Sequence, residues 1–158
     1  MGHIAITSKS IEFDAGHRVA EHGSKCRNLH GHRYKVCVDV EGVIKTSKGE
    51  DHGMVLDFGV LKELLTTYVH DVFDHGFIVH KDDHRLIDMF NEYGGDIRHD
   101  ELLPWKIIEF PYVPTAENMA LWVYLELQPK LSESGMAIKQ VLVYETPTSM
   151  AAYTGGTT

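Results

Sequence analysis

Two histidines flank a single glycine at His30, Gly31 and His32, and Cys26 stands four residues upstream of the pair. The chain holds only two cysteines but eleven histidines in 158 residues, so position must separate ligands from bystanders. In "HRYKVCVDVEGVI" (32–44), Tyr34, Val36, Val38 and Val40 alternate with Lys35, Cys37, Asp39 and Glu41. Such alternation predicts a strand, and on a strand residues i and i+2 share a face. His30 and His32 can therefore aim two imidazoles at one point, with Gly31 leaving the backbone between them unobstructed. A third ligand must come from a neighbouring strand. "IAITSKSIEFDAGH" (4–17) predicts one, with Phe13, Ala15 and His17 on one face and His17 at its end. Three neutral imidazoles suit zinc and leave a fourth position for substrate or water, the arrangement of a catalytic site.

An isolated H-x-H is equally compatible with two polar residues facing solvent; the nearby cysteine and the third histidine favour the metal. A cupin wants a glutamate four or five residues after the second histidine, where Val36 and Cys37 stand. A metallo-β-lactamase wants H-x-H-x-D-H, but Tyr34 and Lys35 follow here. Cys26 is a possible fourth ligand, yet a thiolate beside metal-bound imidazoles is also a usable base or nucleophile, and that is the role assigned to it. Cys37, mid-strand and without a partner motif, is structural.

A second constellation, Asp74–His75 in "VFDHGF", pairs a carboxylate with an imidazole. A carboxylate orients a histidine and raises its basicity. Neighbours in sequence seldom bond side chain to side chain, so both residues are expected to reach a shared site or different groups. His70, His80, His84 and His99 are assigned to the surface and His52 to a turn, while His3 and His22 carry no pattern.

These residues need elements to position them. "MVLDF" is expected to return from the polar turn 45–53, making 32–56 a hairpin. Asp57 is placed to cap a helix over 58–72, with Leu61, Leu64, Leu65, Tyr68 and Val72 at helical spacing. Between His80 and Pro104 the pattern weakens: "DHRLIDMFNEY" reads as a short helix and "GGDIRHDELLP" as loop, before a brief strand in "WKIIEF". Thr115 is the expected N-cap of a long helix ending near Pro129, and "MAIKQVLVYETPTSMAAYT" closes the chain as one or two strands. No linker or internal repeat divides residues 1–158, which predicts one α+β domain with a mostly antiparallel sheet.

Composition bounds the partners. A formal charge of −8 argues against nucleic acid, which needs a basic face. No apolar run approaches the ~20 residues that span a bilayer. "MGHIAITSKS" lacks the pattern of a signal peptide, and two cysteines are expected as reduced thiols in the cytoplasm.

Six motifs occur in one order: F-x-A-x-H (Phe13, Ala15, His17), C-x3-H-G-H (Cys26, His30, Gly31, His32), G-M-V-x-D-F (Gly53–Phe58), D-H (Asp74, His75), P-T-x-E-N (Pro114–Asn118) and E-T (Glu145, Thr146). In this the chain resembles the 6-pyruvoyl-tetrahydropterin synthase family from about residue 4 to 153. It is most similar to the bacterial 6-carboxytetrahydropterin synthase branch, because three residues separate Cys26 from the H-G-H motif. The resemblance implies a lyase that converts 7,8-dihydroneopterin triphosphate to 6-carboxy-5,6,7,8-tetrahydropterin, acetaldehyde and triphosphate, on the route to queuosine. It implies zinc on His17, His30 and His32, Cys26 as the base, and Asp74 and His75 as its proton relay. Glu145 would act in catalysis as the pterin's anchor, supported by Thr115 and Glu117. It further implies the tunnelling fold: a four-stranded antiparallel sheet with helices on one face, closed into a barrel in a homohexamer of two trimers. Two outcomes on the same scaffold compete, triphosphate elimination to a pyruvoyl product and cleavage to a hydroxymethyl pterin; a non-catalytic pterin binder is a third. The segment around 80–110 is longer than in compact members of the branch and is expected to be an insertion.

Overall fold

In the computed structural model, which describes residues 2–98 and 101–156, two 14-residue strands form the spine. β1 (Ile4–His17) and β2 (His30–Val43) pair antiparallel along their whole length, from Ile4 opposite Val43 to His17 opposite His30. Alternation decides their faces. Phe13, Ala15 and His17 on β1, and Tyr34, Val36, Val38 and Val40 on β2, are all buried on one side.

β3 (Gly76–His80), β4 (Gly95–Arg98), β5 (Glu101–Pro104), β6 (Ile107–Phe110), β7 (Ala137–Thr146) and β8 (Ser149–Tyr153) complete the strands. The main sheet runs β6-β3-β1-β2-β7-β8. Its β1-β2-β7-β8 portion is antiparallel, as expected, but the sheet is six-stranded and mixed, not four-stranded. β3 lies parallel to β1 at Ala15–His17, and β6 parallel to β3. Both extra strands are short, and β3 is a mostly apolar run without clean alternation, which gives no two-residue period to read.

The expected 32–56 hairpin does not form; the hairpin partner of β2 is β1. With β1 on one edge of β2 and β7 on the other, no edge remains for Met54–Phe58. Val55 and Leu56 instead join the core. Asp57 then caps α1 (Phe58–Leu65) by accepting the Gly59 N–H. The helix passes through a wide π turn at Thr66–His70 and ends in α2 (Asp71–Phe73). The π turn moves the buried face. Leu61, Leu65, Val69 and Phe73 are buried at a spacing of four, whereas Tyr68 is partly exposed. A spacing of four drifts about 40° per step around a regular helix, and a wider turn takes up the drift.

α3 (His84–Tyr93) forms where a short helix was expected, capped by Asp83. "GGDIRHDELLP", expected as loop, contains the β4–β5 hairpin. Every β5 side chain and most of β4 face solvent, so no alternation marks them. His99 lies outside the described residues. α4 (Ala116–Ser132) starts at its expected cap, Thr115, but runs three residues past Pro129. Proline forfeits one backbone bond there, while Lys130 Nζ donates to the Glu126 carbonyl and the Ser132 hydroxyl to that of Gln128. The helices pack Leu61, Leu65, Met119, Val123 and Leu127 onto the buried sheet face, forming one core. Cys26 and Cys37 are both free thiols. No helix among the described residues is long and apolar enough to cross a membrane.

Candidate metal centre

The β1–β2 register sets His17 opposite His30 and Ala15 opposite His32, so three imidazoles emerge on one face. Each offers one nitrogen, and the three lie within 4.8 Å of one another. Gly31 between the two histidines is required by a close approach: a Cβ there would sit 2.8 Å from the Ala15 carbonyl oxygen.

Hydrogen bonds set the tautomers. A carbonyl only accepts, so His17 Nδ1–H donates to the Pro114 carbonyl at 2.7 Å, and His30 Nδ1–H to that of Asn28 at 2.8 Å. With Nδ1 committed to a carbonyl, each ring has Nε2 left for another partner, and orientation of this kind by an outer partner is typical of metal-ligating histidines. His17 is 1% exposed, and its Nε2 has no hydrogen-bond partner among the described residues. Burial, aided by His30 and His32 but opposed by the Pro114 bond, lowers its pKa to about 4, so the ring is neutral at pH 7. Burial and His30 lower His32 as well. A buried imidazole lone pair without a partner is unfavourable unless something fills the position. The three imidazoles fit a metal ion and can hold one.

A cavity of about 240 Å³ is lined by His17, Cys26, Thr115, Glu117 and Glu145, with His22 among others. The structure thus brings five of the nine expected site residues to one opening, with His30 and His32 adjoining through the cluster. Cys26 sits half-buried on a single 3-10 turn (Lys25–Arg27), its carbonyl accepting the Val19 N–H at 2.8 Å. Glu145 Oε1 is 3.9 Å from His17 Nε2. Burial, reinforced by the negative charge of Glu117 and opposed by His30, raises the Glu145 pKa. The Thr115 hydroxyl accepts the Asn118 N–H at 3.4 Å as the α4 cap.

Asp74 and His75 lie elsewhere. His75 borders a separate recess of about 490 Å³ with Asp14, Arg33 and Gly76, and does not line the cavity that holds Cys26. Contrary to expectation, the two neighbours do bond side chain to side chain: His75 Nδ1–H donates to Asp74 Oδ2 at 2.7 Å. The reason is backbone. His75 has φ of 56°, the only positive value for a non-glycine among the described residues, and this turns its ring back over Asp74. Such a conformation costs on the order of 1–3 kcal/mol and persists only when its surroundings hold it. Asp74 Oδ1 also accepts the Asp14 N–H at 3.1 Å; that bond and His75 hold the Asp74 carboxyl below its usual range.

Three residues at these sites escaped the sequence patterns. Tyr34 places its ring edge-on to His17 and His32, and its buried hydroxyl has no hydrogen-bond partner among the described residues. It was legible as the next same-face residue after His32. His70, four residues before Asp74 on a helix, lies 3.7 Å from its carboxylate. His22 lines the Cys26 cavity from a loop, where no periodicity exists to reveal it.

The sequence model of the 6-pyruvoyl tetrahydropterin synthase family matches residues 6–156. The chain belongs to that family. Among curated relatives, the 6-carboxy-5,6,7,8-tetrahydropterin synthase of Rickettsia conorii is 38% identical over 89% of this chain and 93% of its own length. The enzyme of the same name from Haemophilus influenzae is 33% identical over 92% and 96%. Of solved structures, a Wolinella succinogenes protein aligns over 98% of this chain and 99% of its own at a TM-score of 0.75 and 24% identity. The Caenorhabditis elegans 6-pyruvoyl tetrahydropterin synthase aligns over 98% of both chains at 0.67 and 24%. At that identity these two establish the fold, and the pterin synthase fold is what this family member has.

Proposed function

We propose that the protein is a zinc-dependent 6-carboxytetrahydropterin synthase, a cytoplasmic carbon–carbon lyase of queuosine and 7-deazapurine biosynthesis. It would convert 7,8-dihydroneopterin triphosphate and one water to 6-carboxy-5,6,7,8-tetrahydropterin, acetaldehyde and triphosphate. The observation that carries this reading is the single cavity in which Cys26 meets His17, Thr115, Glu117 and Glu145. Its support is the 38% identity to a relative of that name.

His17, His30 and His32 would hold the metal through the nitrogens turned toward one another. Bound there, zinc supplies Lewis-acid polarisation at the substrate's side-chain hydroxyls. The Glu145 carboxylate accepts from the pterin amino and ring N–H groups, an orientation that bidentate carboxylates favour. Glu117 and Thr115 shape that end of the cavity. Cys26 Sγ takes the proton from the substrate side chain. His75 receives it at Nε2, since Nδ1 already donates to Asp74.

Because the dyad and Cys26 occupy different cavities of one chain, the relay is proposed to form between subunits of a homohexamer, two stacked trimers whose sheets close a barrel. Two features support this. β3 covers the outer edge of β1 only at Ala15–His17, leaving the edge from Ile4 to Asp14 without a partner strand among the described residues. The exposed Ile4 and Ile6 lie on that edge. Unpaired strand edges pair with other chains unless blocked.

The test is incubation of purified protein with 7,8-dihydroneopterin triphosphate and identification of products by mass spectrometry. Acetaldehyde with 6-carboxytetrahydropterin is the expected result. A pyruvoyl pterin, a hydroxymethyl pterin or unchanged substrate would overturn the assignment.

A further inference from the structure

The Asp74–His75 corner is held in its strained shape from two sides. On one side β1 grips it: the Asp14 N–H donates to Asp74 Oδ1, and the His75 N–H donates to the Asp14 carbonyl at 2.7 Å. On the other side stands Lys106, one residue before β6. Its Nζ donates to the carbonyls of both Asp71 and Asp74 at 2.8 Å. These are among the last carbonyls of the helix that ends in α2, which have no partner within the helix, and a cation at a helix C-terminus is favourable. The Lys106 carbonyl in turn accepts the Phe77 N–H at 2.9 Å. Gly76 lies so close under Ile108 of β6 that a side chain there would collide with it.

We propose that Lys106 is a positioning residue for the Asp74–His75 dyad: its ammonium cross-links Asp71 and Asp74 and thereby holds His75 in the left-handed conformation that keeps Nδ1–H on Asp74. A turn at φ of 56° in a non-glycine residue relaxes when its supports are removed. The Asp74 carbonyl belongs to the very peptide whose orientation sets that φ. Releasing it lets the peptide rotate, the imidazole swings off the carboxylate, and Nε2 no longer faces a fixed direction. The 80–110 segment thus carries part of the support for the proton relay. This inference rests on the reading of Asp74–His75 as that relay.

The test compares Lys106→Met, Lys106→Arg and His75→Ala with the parent in the full-length protein. Turnover of 7,8-dihydroneopterin triphosphate is measured together with the nitrogen-15 spectrum of the His75 ring, assigned by its loss in His75→Ala. Lys106→Met is expected to lower kcat about 10- to 100-fold, the scale of a misplaced catalytic group, with KM unchanged. His75 should pass from one Nδ1–H tautomer to a mixture. Lys106→Arg, which can still donate to two carbonyls, should restore both. A parent-like kcat and an intact His75 tautomer in Lys106→Met would overturn the proposal, as would a loss of activity with the tautomer unmoved. If His75→Ala keeps full turnover, the relay reading itself fails; a tautomer shift in Lys106→Met would then still mark the clamp as real but without a role in turnover.

Discussion

The Arg18 guanidinium grips the Asp83 carboxylate with two bonds, Nε to Oδ2 at 2.7 Å and Nη2 to Oδ1 at 2.6 Å. Arg18 directly follows His17 of the histidine cluster and begins the loop that carries Cys26, while Asp83 caps α3. One ion pair therefore ties the start of the Cys26 loop to the 80–110 segment. The Asp83 side chain is only 7% exposed, which makes this a stronger pair than the surface ones.

Asp83→Asn is expected to lower stability by about 1–3 kcal/mol at neutral pH, through loss of a charged acceptor and the unpaired guanidinium left behind. The bond to Arg18 holds the Asp83 pKa below its ordinary value. Its stabilisation is therefore complete above the ordinary carboxylate range and disappears as pH falls through the lower folded value. Urea denaturation of parent and variant at several pH values measures this. A stability difference that stays constant down to pH 2 would contradict it.

Removing one ligand should empty the metal centre. On the proposed three-histidine assignment, the parent is expected to purify with zinc and His30→Ala without it, measured by elemental analysis, and full occupancy in that variant would refute the assignment. Metal-free parent protein should also lose stability as pH falls from about 6.5 to about 4. Unfolded His17 takes its proton near 6.5 but folded His17 only near 4, so between these values the unfolded state binds the extra proton. Thermal melts of the chelator-treated protein across that range read the slope directly.

Cys26 lies beside the histidine cluster without being needed to complete it. Cys26→Ala is therefore expected to keep bound metal and pterin affinity while kcat falls by about 10²–10⁴, the range for loss of a general base. Isothermal titration with a pterin ligand and a turnover assay separate the two effects. Parent-like turnover would remove Cys26 from the mechanism.

Much of the histidine cluster was legible in the sequence. Two histidines at i and i+2 on an alternating strand must share a face, and His17 at the end of another such strand was the natural third ligand. Both inferences depend on the two-residue period, a local property of an extended chain. The caps at Asp57 and Thr115 were legible for the same reason, since a capping side chain acts within three residues of its own position. Tertiary structure decided everything that depends on which edges and faces remain free. Met54–Phe58 is no strand because β1 and β7 already occupy both edges of β2, and β3 and β6 enter the sheet without an alternation to announce them. The Asp74–His75 bond turns on one left-handed backbone angle, held from β1 by Asp14 and from beyond the α3 segment by Lys106. Spacing brought the three histidines together because they sit on paired strands. It could not place the dyad, because its position relative to Cys26 is set by contacts between parts of the chain far apart in sequence.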